Sequence, residues 1–128
     1  MALQLYMVGL TVRDMDRARE FYTRLGVAVP GEEAGNVHVE VKMRADWTFF
    51  LDTRHIPPDE SAHDLPAVEP RVIFEFYLPA RDEVDTKYAT MVGYGYRSYR
   101  GPFTTDFGMY FALILDPDDN LVLLSADA

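Results

Sequence analysis

The sequence contains no cysteine, which removes a disulfide framework, a zinc–thiolate centre and a thiol nucleophile from consideration. No apolar run approaches the ~20 residues that a membrane-spanning helix needs. Basic residues are scarce, with 12 Lys and Arg against 21 Asp and Glu and a formal net charge of −9. Such a surface repels phosphate backbones, so nucleic acid is not an expected partner, although the acidic field leaves room for a cationic ligand. Met1-Ala2-Leu3-Gln4-Leu5 carries no basic residue ahead of a strand-like pattern. No signal peptide or membrane attachment is expected from it, and the expected location is cytoplasmic. The patterns HExxH, GxSxG, GxGxxG and the phosphate-binding P-loop are all missing.

What is present is a core-forming composition. The chain has 128 residues, 48% of them hydrophobic, enough for one domain of ordinary size. Leu5 to Val12 reads as a strand, with Val8, Leu10 and Val12 on one face and Met7, Gly9 and Thr11 on the other. Asp14 is placed to cap a helix in which Met15, Ala18, Phe21, Tyr22 and Leu25 recur at helical spacing, with Gly26 as the stop. A weakly marked strand around Val27–Pro30, then Val37–Met43 and Trp47–Asp52, complete the first half, with Arg44-Ala45-Asp46 as a turn.

Four prolines between residues 57 and 70 mark a connection. The pattern then repeats. Arg71–Leu78 reads as a strand, and a helix presenting Val84, Tyr88, Met91 and Val92 runs to Gly93. The strands Tyr96–Arg100, Gly108–Leu115 and Leu121–Ser125 follow, the last two joined by a turn over 116–120. The expected organisation is an α+β fold of tandem βαβββ modules, about 4–56 and 71–126, in one domain. One helix per module covers one face of the strands, and the other face makes a concave cleft.

Two stretches carry a family resemblance. Val8-Gly9-Leu10-Thr11-Val12-Arg13-Asp14-Met15-Asp16-Arg17-Ala18-Arg19-Glu20-Phe21-Tyr22, followed by Leu25-Gly26, resembles the opening strand and helix of the vicinal oxygen chelate superfamily. Leu115-Asp116-Pro117-Asp118-Asp119-Asn120-Leu121-Val122-Leu123-Leu124 resembles its closing turn and strand. This superfamily comprises glyoxalase I, extradiol dioxygenases and antibiotic-binding proteins of the bleomycin-resistance type. The resemblance implies a curved mixed sheet, a ligand inside it and often a homodimer. Metal-dependent members hold a divalent ion through His, Glu or similar residues on the cavity faces of several strands. By resemblance those positions fall at Met7, at Ile73, at Leu123 and within Trp47-Thr48-Phe49-Phe50, none of which is acidic or a histidine. Neither a metal nor another cofactor is therefore expected.

The remaining candidates are polar groups in strands and clustered aromatics. The chain has three histidines. His38 lies out of phase with Val37, Val39 and Val41, so it faces either solvent or the cavity. His55 and His63 lie in the proline-rich connection, in a solvated loop or with Asp59 or Asp64 as a two-histidine site. Glu75 stands between Phe74 and Phe76 on the face of Ile73 and Tyr77. A carboxylate buried there must pair, with Arg97 or Arg100 as candidates, or take up a proton. Trp47, Phe49, Tyr99, Phe103 and Tyr110 are candidates for stacking on a flat ligand, or for packing in a dimer interface. The leading expectation is metal-free binding and sequestration of a small aromatic molecule. Met7, Ile73 and Leu123 would serve as apolar wall, with Glu75 and His38 as polar anchors. The alternative is a lyase- or isomerase-like enzyme with displaced metal ligands, or with Glu75 as a metal-free acid/base.

Overall fold

The structure, a computed structural model, describes residues 2–25, 27–45, 47–116 and 119–128. Its elements are β1 (Leu5–Thr11), α1 (Met15–Leu25), β2 (His38–Lys42), β3 (Thr48–Asp52), β4 (Val72–Tyr77), α2 (Arg81–Gly93), β5 (Ser98–Thr104), β6 (Met109–Leu115) and β7 (Leu121–Asp127). They form an open, mixed sheet of seven strands in the order β2-β3-β1-β4-β7-β6-β5, an α+β architecture.

Each half builds on a parallel pair, β1 with β3 and β4 with β7, and the halves meet along an antiparallel β1–β4 seam. Asp14 starts α1 as expected, its Oδ1 accepting the Arg17 N–H at 3.2 Å. Met15, Ala18 and Tyr22 of α1 then pack on Val39, Val41 and Leu51. Helix α2 lies over the other half, where Val84 and Tyr88 join Tyr110, Ala112, Leu124 and Ala126. Phe21 and Val92, expected inside, turn outward with exposures of 60% and 37%. Gly26, the expected stop of α1, lies outside the described residues.

The first half departs from the expected βαβββ order. No strand forms at 27–30, and a 3-10 turn occupies Glu32–Ala34. Arg19 reaches from α1 to the carbonyls of Pro30 at 2.9 Å and Gly35 at 2.6 Å and to Asn36 Oδ1 at 3.2 Å, and so ties this turn to the helix. The two carbonyls are satisfied by a side chain in place of a strand partner. The first module is therefore βαββ, and β2 is a sheet edge. In the second module β5 runs on through Gly101 and Pro102 to Thr104, past the Arg100 at which the sequence pattern ends the strand. It is the opposite edge, and a proline is tolerated where no ladder donor is needed.

The proline-rich connection is tied down. Asp59 Oδ2 accepts the Gly101 N–H at 2.6 Å, Ser61 Oγ lies 3.1 Å from Ser98 Oγ, and Tyr88 Oη lies 2.6 Å from the same Ser98 oxygen. This polar chain fixes the connection against β5 and α2.

Candidate functional site

The sheet face away from the helices carries a third cluster, in which Met7, Phe50, Ile73, Tyr99, Phe111, Leu113, Leu115, Leu121 and Leu123 are buried. Above it opens a cleft of about 900 Å³, a size that suits a drug-sized ligand. Its walls include Phe50, Phe103, Phe107 and Phe111, with the polar groups His38, Glu40, Asp52, Arg54, Glu75 and Arg100. Phe111 meets Phe103 and Phe107 edge to face, at centroid distances of 6.0 and 5.7 Å.

The floor is set by register. Met7 lies opposite Thr48 on β3 and Glu75 on β4, and Glu75 lies opposite Leu123 on β7. One row of side chains thus crosses four strands as Thr48, Met7, Glu75, Leu123. The resemblance put Ile73 in this row; the ladder puts Glu75 there, because Ile73 pairs with Gly9 and Leu121. A divalent ion needs several nitrogen or oxygen ligands, and this row offers one carboxyl, one hydroxyl, a thioether and an alkyl chain. It does not fit such an ion. Among the described residues no three His, Asp or Glu side chains are grouped to hold a metal elsewhere.

Glu75 is 5% exposed, and its Oε2 accepts the hydroxyl of the fully buried Ser125 at 2.9 Å. Burial raises its pKa, the Ser125 hydrogen bond opposes, Glu40 adds to the rise and His38 opposes it. Neither suggested arginine is its partner. Arg97 pairs with Asp119 and the Asp64 carbonyl, and Arg100 stacks 3.6 Å from the Phe103 ring centroid.

Across the cleft, His38 Nδ1 lies 2.8 Å from Asp52 Oδ2, its Nε2 lies 3.3 Å from Glu40 Oε2, and its ring leans on Phe50 at 5.1 Å. The hydrogen bond to Asp52 is the main cause of a raised imidazole pKa, against desolvation. Burial would raise the Asp52 carboxyl, but hydrogen bonds from His38 and Arg54 outweigh it and hold the pKa below its usual value. Arg54 closes this run of alternating charge, with its Nη2 3.2 Å from Asp52 and its guanidinium 5.5 Å from the Phe107 ring.

Of the expected site residues, Met7, His38, Ile73, Glu75, Phe103 and Leu123 line the cleft, whereas Trp47, Phe49, Tyr99 and Tyr110 do not. Trp47 is 53% exposed, ahead of β3, and Phe49 packs with Tyr22 under α1. On β3 it is Phe50 and Asp52 that face the cleft. Tyr99 is buried within the cluster beneath it. Tyr110 points to α2, where its hydroxyl donates to Asp85 at 2.6 Å and Arg81 lies 4.4 Å over its ring. His55 lies at the mouth and pairs with Glu69 at 3.3 Å. Asp59 accepts the Gly101 N–H, and among the described residues no group of three His, Asp or Glu side chains forms a two-histidine site there.

A sequence profile described as the Glyoxalase/Bleomycin resistance protein/Dioxygenase superfamily matches residues 4–124. Curated proteins give no significant match. Among solved structures, a Legionella pneumophila protein described as an NAD-dependent benzaldehyde dehydrogenase superposes with a TM-score of 0.67 at 15% identity, over 95% of this chain and 98% of its own. A glyoxalase/bleomycin resistance protein/dioxygenase superfamily member from Vibrio splendidus 12B01 gives 0.61 at 12% identity, over 98% and 100%. The Mn(II)-bound glyoxalase from Novosphingobium aromaticivorans gives 0.55 at 21% identity, over 98% of this chain but 38% of its own. At these identities the likeness speaks for the fold. Among the described residues no helix is long and apolar enough to cross a membrane.

Proposed function

Since the chain belongs to the Glyoxalase/Bleomycin resistance protein/Dioxygenase superfamily, we propose that it binds and sequesters a small aromatic molecule in the cleft without a metal ion, in the manner of an antibiotic-resistance binding protein. The observation that carries this reading is the floor row, with its one carboxyl, set beneath walls of phenyl rings. Stacking on Phe50, Phe103, Phe107 and Phe111 supplies area, and Glu75 and His38 supply polar anchors. The experiment is metal analysis of protein purified without chelator, followed by a thermal-shift screen of aromatic compounds. Saturable stabilisation by an aromatic compound in metal-free protein supports the reading, because binding to the native state alone raises its stability. One divalent ion retained per chain overturns it.

A second reading has its own observation. His38 is oriented by Asp52, as an imidazole used in proton transfer is. Together with Glu75 it would make a metal-free acid/base pair for a lyase or isomerase. Turnover abolished by Glu75→Gln or His38→Gln while binding persists would favour it over sequestration. The protein also acts as a homodimer in this proposal. The apolar side chains of Phe21, Val37, Met43 and Trp47, all in the first module and all exposed, support that assignment, and sedimentation equilibrium tests it.

A further inference from the structure

We propose that the occupant of the cleft is an uncharged aromatic molecule bearing an acceptor oxygen, and that Glu75 holds it by donating a hydrogen bond from its carboxylic acid. The inference rests on the binding reading above and names the ligand class for the same site.

Three features of the floor carry it. First, Glu75 is buried, and its partners in the floor row are both apolar, Met7 on one side and Leu123 on the other. Second, the neighbouring cations are engaged elsewhere. Arg54 is bonded to Asp52, Arg100 is stacked on Phe103, and His38 sits between Asp52 and Glu40. Glu75 has no ion pair among the described residues. The charged groups that act on it, His38 and Glu40, both come from β2 and pull in opposite directions. Third, its one hydrogen bond among the described residues is received, from Ser125 to Oε2. No buried side-chain oxygen among the described residues is left without a partner. The second oxygen, Oε1, is therefore open to the cleft.

A buried carboxylate needs a cation or several donors to stay ionised, and one hydroxyl is too little. The neutral acid satisfies the floor instead. Ser125 already donates to Oε2, so the acid's own proton is free to sit on Oε1 and face the cleft. A carboxylic acid kept neutral by an apolar site serves as a hydrogen-bond donor. Its complement is a carbonyl, quinone or similar oxygen on a flat molecule that also fills the phenyl-lined walls. An ammonium would need Glu75 ionised and would have to shed its water among Met7, Ile73 and Leu123, so the acidic net charge of the chain does not predict the charge of the ligand.

The test uses three probes of one shape: 2-acetylnaphthalene, 2-ethylnaphthalene and 1-(2-naphthyl)ethylammonium. They are titrated at pH 6 against the wild-type protein, Glu75→Gln and Glu75→Leu. The expected result is about tenfold or greater preference of the wild type for the acetyl over the ethyl compound, the scale of one buried hydrogen bond. Glu75→Gln keeps this preference, because its amide also donates, and Glu75→Leu loses it. The ammonium binds most weakly to the wild type. A preference for the ammonium, or an acetyl preference unchanged in Glu75→Leu, overturns the inference and leaves the binding reading standing. Saturable binding of none of the three overturns both. Should Glu75→Leu fail to fold, carbon-13 detection of the Glu75 carboxyl in the wild type decides. A protonated signal at pH 6 supports the inference, and a carboxylate signal overturns it.

Discussion

The ring of Phe50 occupies the space that a side chain at Gly9 would need. The two residues are direct partners on the parallel strands β1 and β3, and a Cβ built on Gly9 would come within 2.7 Å of the ring carbon Cε1. Gly9 is thus the residue that lets Phe50 lie flat against the sheet as part of the cleft wall. Gly9→Ala is expected to push the ring into the cleft and to destabilise the fold by about 1–3 kcal/mol, the usual cost of overpacking. Adding Phe50→Leu should recover part of that loss. Urea denaturation of both single variants and the double variant measures the coupling, and strictly additive losses would refute the contact.

The His38–Asp52 pair gives a pH signature. The folded chain holds the imidazole proton more tightly than the unfolded chain does, with the Asp52 hydrogen bond as main cause. This contribution is fully present below the unfolded value of 6.5 and is lost as pH rises through the raised folded value. Asp52 behaves in the opposite sense. Its depressed pKa stabilises the fold above 3.8, and the contribution is lost as pH falls through the folded value. The pair therefore helps most between the two titrations. His38→Gln should lose most stability against wild type in mildly acidic buffer and converge with it in alkaline buffer. Stability gaps that stay constant with pH would contradict this.

Glu75 predicts the reverse comparison. Burial raises its folded pKa above 4.5, so the folded state prefers the protonated form. Stability from this group is present below 4.5 and declines as pH rises through the folded value. Glu75→Gln keeps the shape and cannot ionise. It should melt higher than wild type at neutral pH, with the difference closing as the buffer is acidified. Equal melting temperatures across that range would mean that Glu75 is not desolvated.

Asp59 fastens the proline-rich connection to the second module by accepting the backbone N–H groups of Gly101 and Ser61. Asp59→Ala should cost on the order of 1–3 kcal/mol, the range for hydrogen bonds to a charged acceptor. It should also speed amide exchange across residues 57–64 while leaving β6 protected. Unchanged exchange in that segment would show that the connection is held by other contacts.

Much of this architecture was readable from the residues, and the exceptions share a cause. The Asp14 cap and the inward stripe Met15, Ala18, Tyr22 are local signals, and each duplicated helix announced itself. The errors fall on strands buried on both faces, where alternation carries no information. In β3 both Phe49 and Phe50 are large and apolar, and only the pairing with β1 tells that Phe50 turns to the cleft. In β6 Tyr110 and Phe111 pose the same problem, and the helix above Tyr110 resolves it. A cue did exist for β3: Asp52 shares the phase of Phe50, and a carboxylate is easier to place at a cleft than beneath a helix. Where a strand was expected at 27–30, Arg19 reaches 11 residues along the chain to the Pro30 carbonyl, a contact that no local pattern announces. The pairing of Met7 with Glu75 in place of Ile73 is likewise a matter of register, and register is decided by the whole sheet.

The β1–β4 seam has one more consequence. Antiparallel partners are related by a local two-fold turn, so Met7 and Glu75 occupy matching places on either side of it. Equal residues there would leave the centre of the floor the same on both sides of the seam, and an elongated guest would find no difference there between its two ends. With a thioether at one place and a carboxyl at the other, the floor has a head and a tail. Repetition of the module set matching places on either side of the seam, and the unlike pairs Met7 with Glu75 and Thr48 with Leu123 give the cradle a direction.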